Sequence, residues 1–544
     1  SRYEKQYNER TKTESGRLVN EYINNYLDGE PIPGIEWEYN FVKANLNGIK
    51  LANFDAMRKT IDIDQNYFCY VTTKTSDKNP TNENLKSWVD EALKSDIKPY
   101  VEKQIASSLL KSEPKAGTIV KTEKNEKLGT TTYTLSNGAV VCIKPTTFKN
   151  DEIVFKGSKF GGYSTYTGKD YQSAQFCNNA VEEMGYGEFS APDLTKFLSG
   201  KNVSVSPVVD DYTENISGNC GVKDIETMFQ LIYLKCTEPR KDAEAFGSFI
   251  TRSKQQMLQV KDNPENLFSD TLYNSLYQNN PRAHRIPAVS DFDKINIDNA
   301  IAFYKERLGN PKGMYYTFVG SFTEDQIKPL IEKYIGGIGA GTSVASYKDL
   351  GFKTRTGINS FTLKKGSEQK AKLVHFYTKA VKYDADEAFI LQQLTSVINN
   401  RVIDTIREKM GAIYGGGFYG SVRMYPAQEL FMQSNFPCSP DNIASVNETF
   451  LRLVEETKKP GNITDSDWKR VREPALETYR VNMEKNNYWL SNLQTAYLYG
   501  IDPNRILTVE ERLNAITPAK LCEIANKYFK DVNIFTGYWL PENK

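Results

Sequence analysis

Three segments of the chain repeat one pattern, in which an amphipathic helix is followed by a short break and then by a strand. The three helices include Phe54, Ala300 and Ala519, so that the copies lie a little over two hundred residues apart. The strands are predicted at 67–71, 314–320 and 532–537. A period of that length is too long for a solenoid. It fits duplicated domains of the α+β class, which therefore becomes the predicted fold class.

Size and charge narrow the classes of function. A chain of 544 residues corresponds to two to four domains of ordinary size. Charged residues make up 25% of the chain and nearly cancel, which leaves a net charge of +1 and argues against a nucleic-acid partner bound by phosphate neutralisation. No apolar run approaches the roughly 20 residues of a membrane span, and no signal peptide is recognised. A start at Ser1 rather than Met, inside a predicted helix, suggests a processed or truncated product.

Metal-ligating residues are few and scattered. The seven cysteines include no CxxC pair, so a thiolate zinc site is not predicted, and most of them are expected to be buried as small hydrophobic residues. The cysteines leave the redox compartment undetermined. His284 and His375 are the only histidines and lie about ninety residues apart. Each is predicted to be an ordinary surface or packed histidine rather than a metal ligand.

The segment 111–127 is charged, poor in aromatic residues and contains Pro and Gly, which predicts an interdomain linker. After it, 131–144 is predicted to form a β-hairpin with Asn137 and Gly138 at the turn. A further strand is predicted at 153–157. The elements that follow are predicted as helices at 171–184, 191–198, 224–234 and 242–259, with two strands between 203 and 222. Because hairpins and helices occupy separate segments of the chain, this order of elements again favours the α+β fold class.

A long amphipathic helix precedes the segment 407–414 and carries the candidate site. Gly411 is predicted to end the helix, because glycine readily takes a positive φ. Arg407 in the last turns and Tyr414 at the next element offer N–H and O–H donors that suit a peptide carbonyl or an oxyanion. The simpler alternative is an arginine on a helix rim and a tyrosine in a sheet. The apolar stripe of the helix consists of Leu391, Leu394, Ile398, Val402, Ile406 and Met410.

Gly415, Gly416 and Gly417 follow Tyr414 directly. They do not form a phosphate-binding loop, since no Gly-Lys-Ser/Thr follows them and they do not open a helix. A closely packed or flexible strand start is the preferred interpretation.

Three motifs, taken in order, carry a resemblance to a known family. They are the segments 27–37 (LDGEPIPGIEW), 135–141 (LSNGAVV) and 406–414 (IREKMGAIY). Together they resemble the M16 (pitrilysin-like) zinc peptidases, which include insulin-degrading enzyme and the mitochondrial processing peptidase. The chain is similar to the C-terminal, non-catalytic portion of a long bacterial member, and the resemblance covers nearly all of it.

The resemblance implies tandem M16 peptidase-like domains of the LuxS/metallohydrolase-like type, with antiparallel sheets packed with helices. It places the C-terminal part of domain 2 at 1–110, the linker at 111–127, domain 3 without a zinc motif at 128–342 and domain 4 at 343–544. In the family, Arg407 and Tyr414 would bind the substrate backbone beside the scissile bond. Tyr414 would also help to stabilise the tetrahedral oxyanion.

The family holds Zn²⁺ through an HxxEH motif and a downstream glutamate, and the glutamate of the motif is the general base. This chain has no HxxEH. Matching Gly185 and Phe189 to the turn after the motif places its degenerate positions at Phe176, Asn179 and Ala180. A phenyl ring and a methyl group lack lone pairs for zinc, and an amide is no general base. Glu182 and Glu183, on the same helix, are expected on a solvated face.

The resemblance therefore predicts the non-zinc-binding half of an M16 zinc metalloendopeptidase, which encloses and orients a peptide or unfolded polypeptide. The chain alone is expected to be inactive and to hold no cofactor, with zinc in the N-terminal catalytic half of the full-length enzyme. Localisation in the bacterial periplasm or cell envelope is expected. The alternative is an inactive homologue that serves as a binding or structural subunit. A third possibility is a peptide-binding module of no enzymatic lineage. Substrate, cleavage preference and oligomeric state stay open.

Overall fold

The computed structural model describes residues 2–60, 68–73, 76, 78–98, 101–102, 104–283, 286–340 and 346–543. Contacts within these residues divide the chain into unit 1 (Ser1–Ala106) and unit 2 (Ser107–Lys544). Among the described helices, none combines the length and the apolar character that crossing a lipid bilayer requires.

The described part of unit 1 is helical, and its helices bury no residue. Tyr22 and Tyr26 on α2, for example, are 59% and 88% exposed. The strand predicted at 67–71 is wrong: residues 68–71 form no regular structure, and residue 67 lies outside the described residues. A strand needs a partner to pair its N–H and C=O groups, and no other described segment of unit 1 is extended. The helices are α1 (Arg2–Asn8), α2 (Ser15–Asp28), α3 (Ile35–Asn45), α4 (Leu51–Arg58) and α5 (Asn82–Lys94).

Unit 2 contains two sheets. Sheet one has seven strands in the order β1-β2-β3-β7-β4-β6-β5, and all neighbours are antiparallel except β3 and β7. The predicted hairpin is confirmed as β2 and β3, with Gly138 at φ +83° in the turn. The strands are β1 (Ile119–Asn125), β2 (Thr130–Leu135), β3 (Val140–Pro145), β4 (Ile153–Phe160), β5 (Val203–Val209), β6 (Thr213–Cys220) and β7 (Tyr315–Gly320).

The described residues between 171 and 330 contain eight α-helices. Those at Pro264–Leu276 and Glu324–Leu330 were not predicted, the predicted helix 171–184 breaks into two at Phe176, and the others match closely. A second difference lies in the predicted linker 111–127, which contains the edge strand β1. Both faces of β1 are largely exposed, so its charged residues gave no apolar alternation from which to predict a strand. The helices are α6 (Tyr171–Gln175), α7 (Cys177–Met184), α8 (Ala191–Phe197), α9 (Ile225–Thr237), α10 (Ala243–Val260), α11 (Pro264–Leu276), α12 (Ile297–Leu308) and α13 (Glu324–Leu330).

Sheet two has five strands in the order β10-β11-β9-β12-β8, and only β12 and β8 run parallel. Its strands are β8 (Ile358–Lys364), β9 (Ala371–Ala380), β10 (Gly417–Arg423), β11 (Glu429–Cys438) and β12 (Asn533–Leu540). Its helices are α14 (Ala385–Val402), α15 (Ile443–Glu456), α16 (Asp465–Asn482), α17 (Asn486–Tyr499), α18 (Val509–Ala515) and α19 (Pro518–Phe529). The predicted α+β class with largely antiparallel sheets and packed helices is confirmed.

Each sheet is partly covered by a helix whose sequence lies among the elements of the other sheet. Leu493 of α17 packs with Val154 and Val319 of sheet one, and Leu272 of α11 packs with Phe376 and Phe535 of sheet two. Apolar burial of this kind is worth about 25 cal/mol per Å². Each sheet therefore gains part of its hydrophobic core from a helix that lies in sequence among the elements of the other sheet.

Candidate functional site

The rigid base of the candidate site is α14. Its first turn is capped by Asp384, whose side chain accepts hydrogen bonds from the backbone N–H groups of Asp386 and Glu387. The predicted stripe is buried from Leu391 to Ile406. The helix continues as a π-helical segment, Ile403–Lys409, and ends at Gly411, which has φ +60° as predicted.

Met410 departs from the predicted stripe, because it is 39% exposed. A π-helix has more residues per turn than an α-helix, so the segment Ile403–Lys409 rotates Met410 off the apolar face. Such π segments occur often at functional sites. Here it changes the direction in which the side chains after Val402 point.

Arg407 lies in the π-helical segment and points away from the core. Its side chain is 54% exposed, and its Nε lies 3.6 Å from the Glu408 carboxylate. Both groups of this ion pair are solvated, so the pair is weak and leaves the guanidinium available to a ligand.

Tyr414 is 87% exposed although its neighbours are fixed. Ala412 and Ile413 are buried, and Ile413 forms a β-bridge with Cys438. No described residue forms a hydrogen bond with the Tyr414 hydroxyl. The phenol therefore projects from a rigid backbone with its donor unused.

The backbone geometry at Gly416 shows why glycine is needed in the run that follows Tyr414. It has φ +110°, and a Cβ atom there would lie 2.0 Å from the carbonyl oxygen of Asn435 on β11. The close approach of the two strands requires glycine. This supports the predicted closely packed strand start.

The degenerate zinc positions lie where α6 meets α7. Phe176 ends α6 and packs against Phe292, with ring centroids 4.9 Å apart and the rings tilted by 40°. Asn179 is exposed, and Ala180 is fully buried. None of the three provides an anionic or imidazole ligand, so these residues do not fit a zinc ion.

Glu182 and Glu183 are partly solvated, as expected, but each also has a cationic partner. Glu182 is 61% exposed and lies 3.3 Å from the ammonium of Lys235, and it accepts a hydrogen bond from the Tyr186 hydroxyl at 2.8 Å. Glu183 pairs with Arg252 at 2.6 Å. The acidic groups nearest to the degenerate motif are therefore occupied by protein cations.

Of the two histidines, His375 is packed as predicted, and His284 lies outside the described residues. The Nδ1 atom of His375 lies 2.7 Å from Ser434 Oγ, and Nε2 lies 2.7 Å from Asn447 Oδ1. Burial lowers the pKa of His375 to about 4. Six of the seven cysteines are buried, whereas Cys69 is exposed. Across the described ranges, no three His, Cys, Asp or Glu side chains are grouped as a metal site would require.

Sequence reasoning missed a cavity of about 600 Å³ beside β10. Its walls come from the start of α14, the end of β10, the end of α17 and the segment 501–512. Arg512 and Phe389 lie in these walls, with the guanidinium 4.2 Å from the ring centroid. No local spacing in the sequence indicates this cavity, because its walls come from residues more than one hundred positions apart.

Comparison with known proteins gives a match of residues 294–474 to the family profile described as "Peptidase M16 inactive domain". The "Zinc protease PQQL-like" protein of Arabidopsis thaliana is 23% identical over 516 residues, which cover 91% of this chain and 51% of that protein. The "Probable zinc protease PqqL" of Haemophilus influenzae is 20% identical over 407 residues, covering 74% of this chain and 43% of that protein. The chain thus spans about half the length of the curated relatives it matches.

Solved structures of similar fold cover nearly the whole chain. The periplasmic protease PqqL from Escherichia coli aligns with a TM-score of 0.70 at 17% identity, over 99% of this chain and 60% of that one. A mutant of the ferredoxin protease FusC in complex with Arabidopsis ferredoxin aligns with a TM-score of 0.71 at 14% identity, over 97% of this chain and 58% of that one. An M16 inactive domain from Pseudomonas fluorescens has a TM-score of 0.64 at 15% identity, over 76% and 98% of the two chains. At these identities the likeness concerns the fold.

Proposed function

Because the chain belongs to the M16 peptidases and carries their inactive type of domain, we propose that it is the non-zinc-binding half of a zinc metalloendopeptidase. In this proposal it encloses a peptide or unfolded polypeptide and orients it for hydrolysis at a zinc site in an N-terminal catalytic half. The chain by itself does not hydrolyse peptides. The names of its relatives, which are zinc proteases, support the reaction class.

One observation carries the proposal: Arg407 and Tyr414 present unused donors at the end of one rigid helix. Tyr414 is 87% exposed, and Arg407 has only the solvated Glu408 beside it. A guanidinium and a phenol supply donors and no strong acceptor at neutral pH, which suits a carbonyl oxygen or an oxyanion. Preorganised donors of this kind stabilise charge that develops in a transition state.

Two observations support a catalytic partner. The residues at the degenerate motif cannot bind zinc, and the curated relatives are about twice as long as the matched region. Unit 1 exposes apolar side chains along α2, where Val19 and Ile23 are 50% and 46% exposed. Exposed apolar faces of helices are normally covered by another structural element. We propose that the N-terminal half covers them.

The ligand and the compartment are proposed from the structural neighbours. FusC was solved in complex with a ferredoxin, which supports a polypeptide ligand for this fold. The E. coli neighbour is a periplasmic protease, which supports a location in the periplasm or cell envelope. The near-zero net charge fits neither a nucleic-acid partner nor phosphate binding.

The experiment combines Tyr414→Phe with the HxxEH half, whether that half belongs to the same polypeptide or to a separate subunit. Loss of an oxyanion donor lowers kcat by roughly 100-fold to 1000-fold, whereas KM should change little because ground-state contacts remain. Steady-state cleavage of a fluorogenic peptide measures both constants.

Tyr70→Phe is the matched control, since Tyr70 is 76% exposed and lies outside α2 in unit 1. Its kcat should equal that of the parent protein. Equal turnover of Tyr414→Phe would remove the proposed role. Absence of any cleavage by the assembled parent protein would favour the inactive binding subunit instead.

A further inference from the structure

We infer that the cavity beside β10 is a subsite for an acidic side chain of an extended peptide that pairs with the free edge of β10. This inference rests on the proposed function and extends it, because it names a sequence preference. It concerns a place on the chain other than Arg407 and Tyr414.

The backbone of β10 has one edge without a partner strand. β10 is the outermost strand of sheet two and pairs with β11 alone. The Asn399 side chain bonds both the N–H and the C=O of Phe418, at 2.8 Å and 2.9 Å. This capping shows that the polar groups of Phe418 point away from β11.

Gly420 and Val422 lie two and four residues after Phe418 on the same strand. Because backbone direction alternates along an antiparallel strand, their N–H and C=O groups also point away from β11. No hydrogen bond from the described residues reaches these outward groups. They form a short template for one additional strand, as in peptide recognition by β-augmentation.

The cavity opens along this edge. Six consecutive residues, 420–425, line it. Residues 420–423 belong to β10, and since successive side chains of a strand point to opposite faces, a wall that includes all four contains part of the backbone edge. A peptide paired with Gly420 and Val422 would therefore direct a side chain into the cavity.

Arg512 determines the chemistry of the cavity. Its guanidinium stacks on Phe389, and one Nη donates to the carbonyl oxygen of Arg505 at 3.0 Å. Its Nε is buried without a hydrogen-bond partner. None of the described carboxylates lies within ion-pair distance of it. A half-buried guanidinium with one buried, unpaired N–H is stabilised by an anion.

The neighbouring charges do not neutralise Arg512. Arg505 is held by Asp386, and Arg423 lies 3.6 Å from Glu429. Burial and the nearby charge of Arg505 lower the pKa of Arg512, and the carboxylate of Asp386 opposes this effect. Tyr425 and Tyr499 stack at 5.6 Å on the same cavity and provide an apolar wall for the stem of a glutamate.

The position of the subsite follows from strand geometry. β10 begins three residues after Tyr414 and runs from Gly417 to Arg423, about 20 Å at 3.4 Å per residue. The acidic residue should therefore lie roughly six residues from the peptide bond that Tyr414 contacts. A peptide C-terminal carboxylate has the same chemistry, and the experiment separates it from a side chain.

The test measures binding of this chain to fluorescein-labelled twelve-residue peptides by fluorescence anisotropy. The peptides contain Ala, Thr and Val, with a single Glu or Gln moved along the sequence, and each is made with a free and with an amidated C-terminus. We expect Glu to bind at least about tenfold more tightly than Gln at one position, independent of amidation. Equal affinity of the Glu and Gln peptides at every position would overturn the inference. A preference that disappears on amidation would assign the cavity to the C-terminal carboxylate and would also overturn it.

Arg512→Gln should remove the preference for Glu and leave the affinity for the Gln peptide within about twofold. Arg512→Lys should retain part of the preference, since the charge is kept. The matched control is Arg480→Gln, because Arg480 is exposed and pairs with Glu510 outside the cavity. Circular dichroism and the melting temperature establish that each variant is folded. A full Glu preference in folded Arg512→Gln would refute the role of Arg512.

A second arm needs no protein variant. Peptides N-methylated at alternate positions should bind about tenfold more weakly in one register only, because pairing with β10 uses every second N–H. Equal effects in both registers would exclude strand pairing.

The two proposals fail separately. Peptide binding that depends on Arg407 and Tyr414 but shows no Glu preference would defeat the subsite alone. Absence of peptide binding to this chain would defeat the subsite, whereas the proposed function is decided by cleavage in the assembled enzyme.

Discussion

The two sheets of unit 2 share one plan and differ in what their helices present. Each sheet has a single parallel pair of strands, and each is partly covered by a helix from the other part of the chain. Beside sheet one, α7 ends in side chains that are buried or already paired, such as Ala180 and Glu182. Beside sheet two, the π-helical end of α14 leaves Arg407 and Tyr414 directed to solvent.

This difference separates a helix end whose polar groups are satisfied within the protein from one whose donors are open to a ligand. At α7 the polar groups find partners inside the protein, through Lys235 and Arg252. At Tyr414 the backbone is fixed but the donor is unused. The exposed donors of Arg407 and Tyr414 are solvated in the free chain and are open to a ligand, whereas the side chains at α7 are already paired within the protein.

The largest expected effect comes from an attempt to make α7 a zinc site, by Phe176→His, Asn179→Glu and Ala180→His together. Ala180 is fully buried, so an imidazole there overpacks the core and buries polar atoms, which costs roughly 3–5 kcal/mol of unfolding free energy. Lys235 and Arg252 place positive charge beside the position. Urea unfolding should show the loss, and metal analysis should find no zinc retained.

The control is Asn179→Glu alone, an exposed change expected to alter stability by less than about 0.5 kcal/mol. Stoichiometric zinc in a triple variant of unchanged stability would mean that the two helix ends differ less than their packing indicates.

A second prediction sharpens the comparison within sheet two, where His375 is a buried structural group unlike the exposed Tyr414. Its folded pKa is about 4, below the 6.5 expected in the unfolded chain. The unfolded chain therefore takes up the proton first as the pH falls. The stabilising contribution is present above pH 6.5 and is lost between about 6.5 and 4, by up to about 3 kcal/mol.

Urea unfolding at pH 7, 5.5 and 4 measures this loss, and His375→Gln is the reference because carboxylates titrate equally in both proteins. The parent protein should lose stability more steeply than His375→Gln as the pH falls, so its advantage over the variant should shrink. Parallel pH dependence would show that His375 is not buried in its neutral form.

The smallest effect is expected for Glu182→Gln at α7. Glu182 is 61% exposed, so solvent screens its pair with Lys235, and the loss of unfolding free energy should stay below about 1 kcal/mol. Cleavage by the assembled peptidase should be unchanged. Glu473→Gln, an exposed helical pair with Lys469, is the matched control. A drop of several kcal/mol for Glu182→Gln alone would reveal a coupled network at α7.

Local features of the fold were predictable from the sequence. The hairpin at Asn137 and Gly138, the glycine end of the helix at Gly411 and the buried stripe from Leu391 to Ile406 all depend on residues near each other in the chain. Turn chemistry and helical periodicity act over a few residues, so they can be recognised without the partner elements. The absence of zinc ligands at Phe176, Asn179 and Ala180 also follows from side-chain chemistry alone.

Other features depend on contacts between distant residues. β1 is a strand because β2 pairs with it, and 68–71 lacks regular structure where no described segment of unit 1 can pair with it. The cavity likewise brings Phe389 and Arg512 into contact across more than one hundred residues.

The sequence by itself determined the α+β class, the family resemblance and the residue types at the candidate site. Only the tertiary structure decided that Met410 leaves the apolar stripe, that Tyr414 is exposed, and that Arg512, whose Nε lacks a partner, lines the same cavity as the end of β10. The physical reason is that helix and turn preferences arise from neighbouring residues. Exposure, strand pairing and the balance of buried charge arise from the packing of elements that are far apart in the chain.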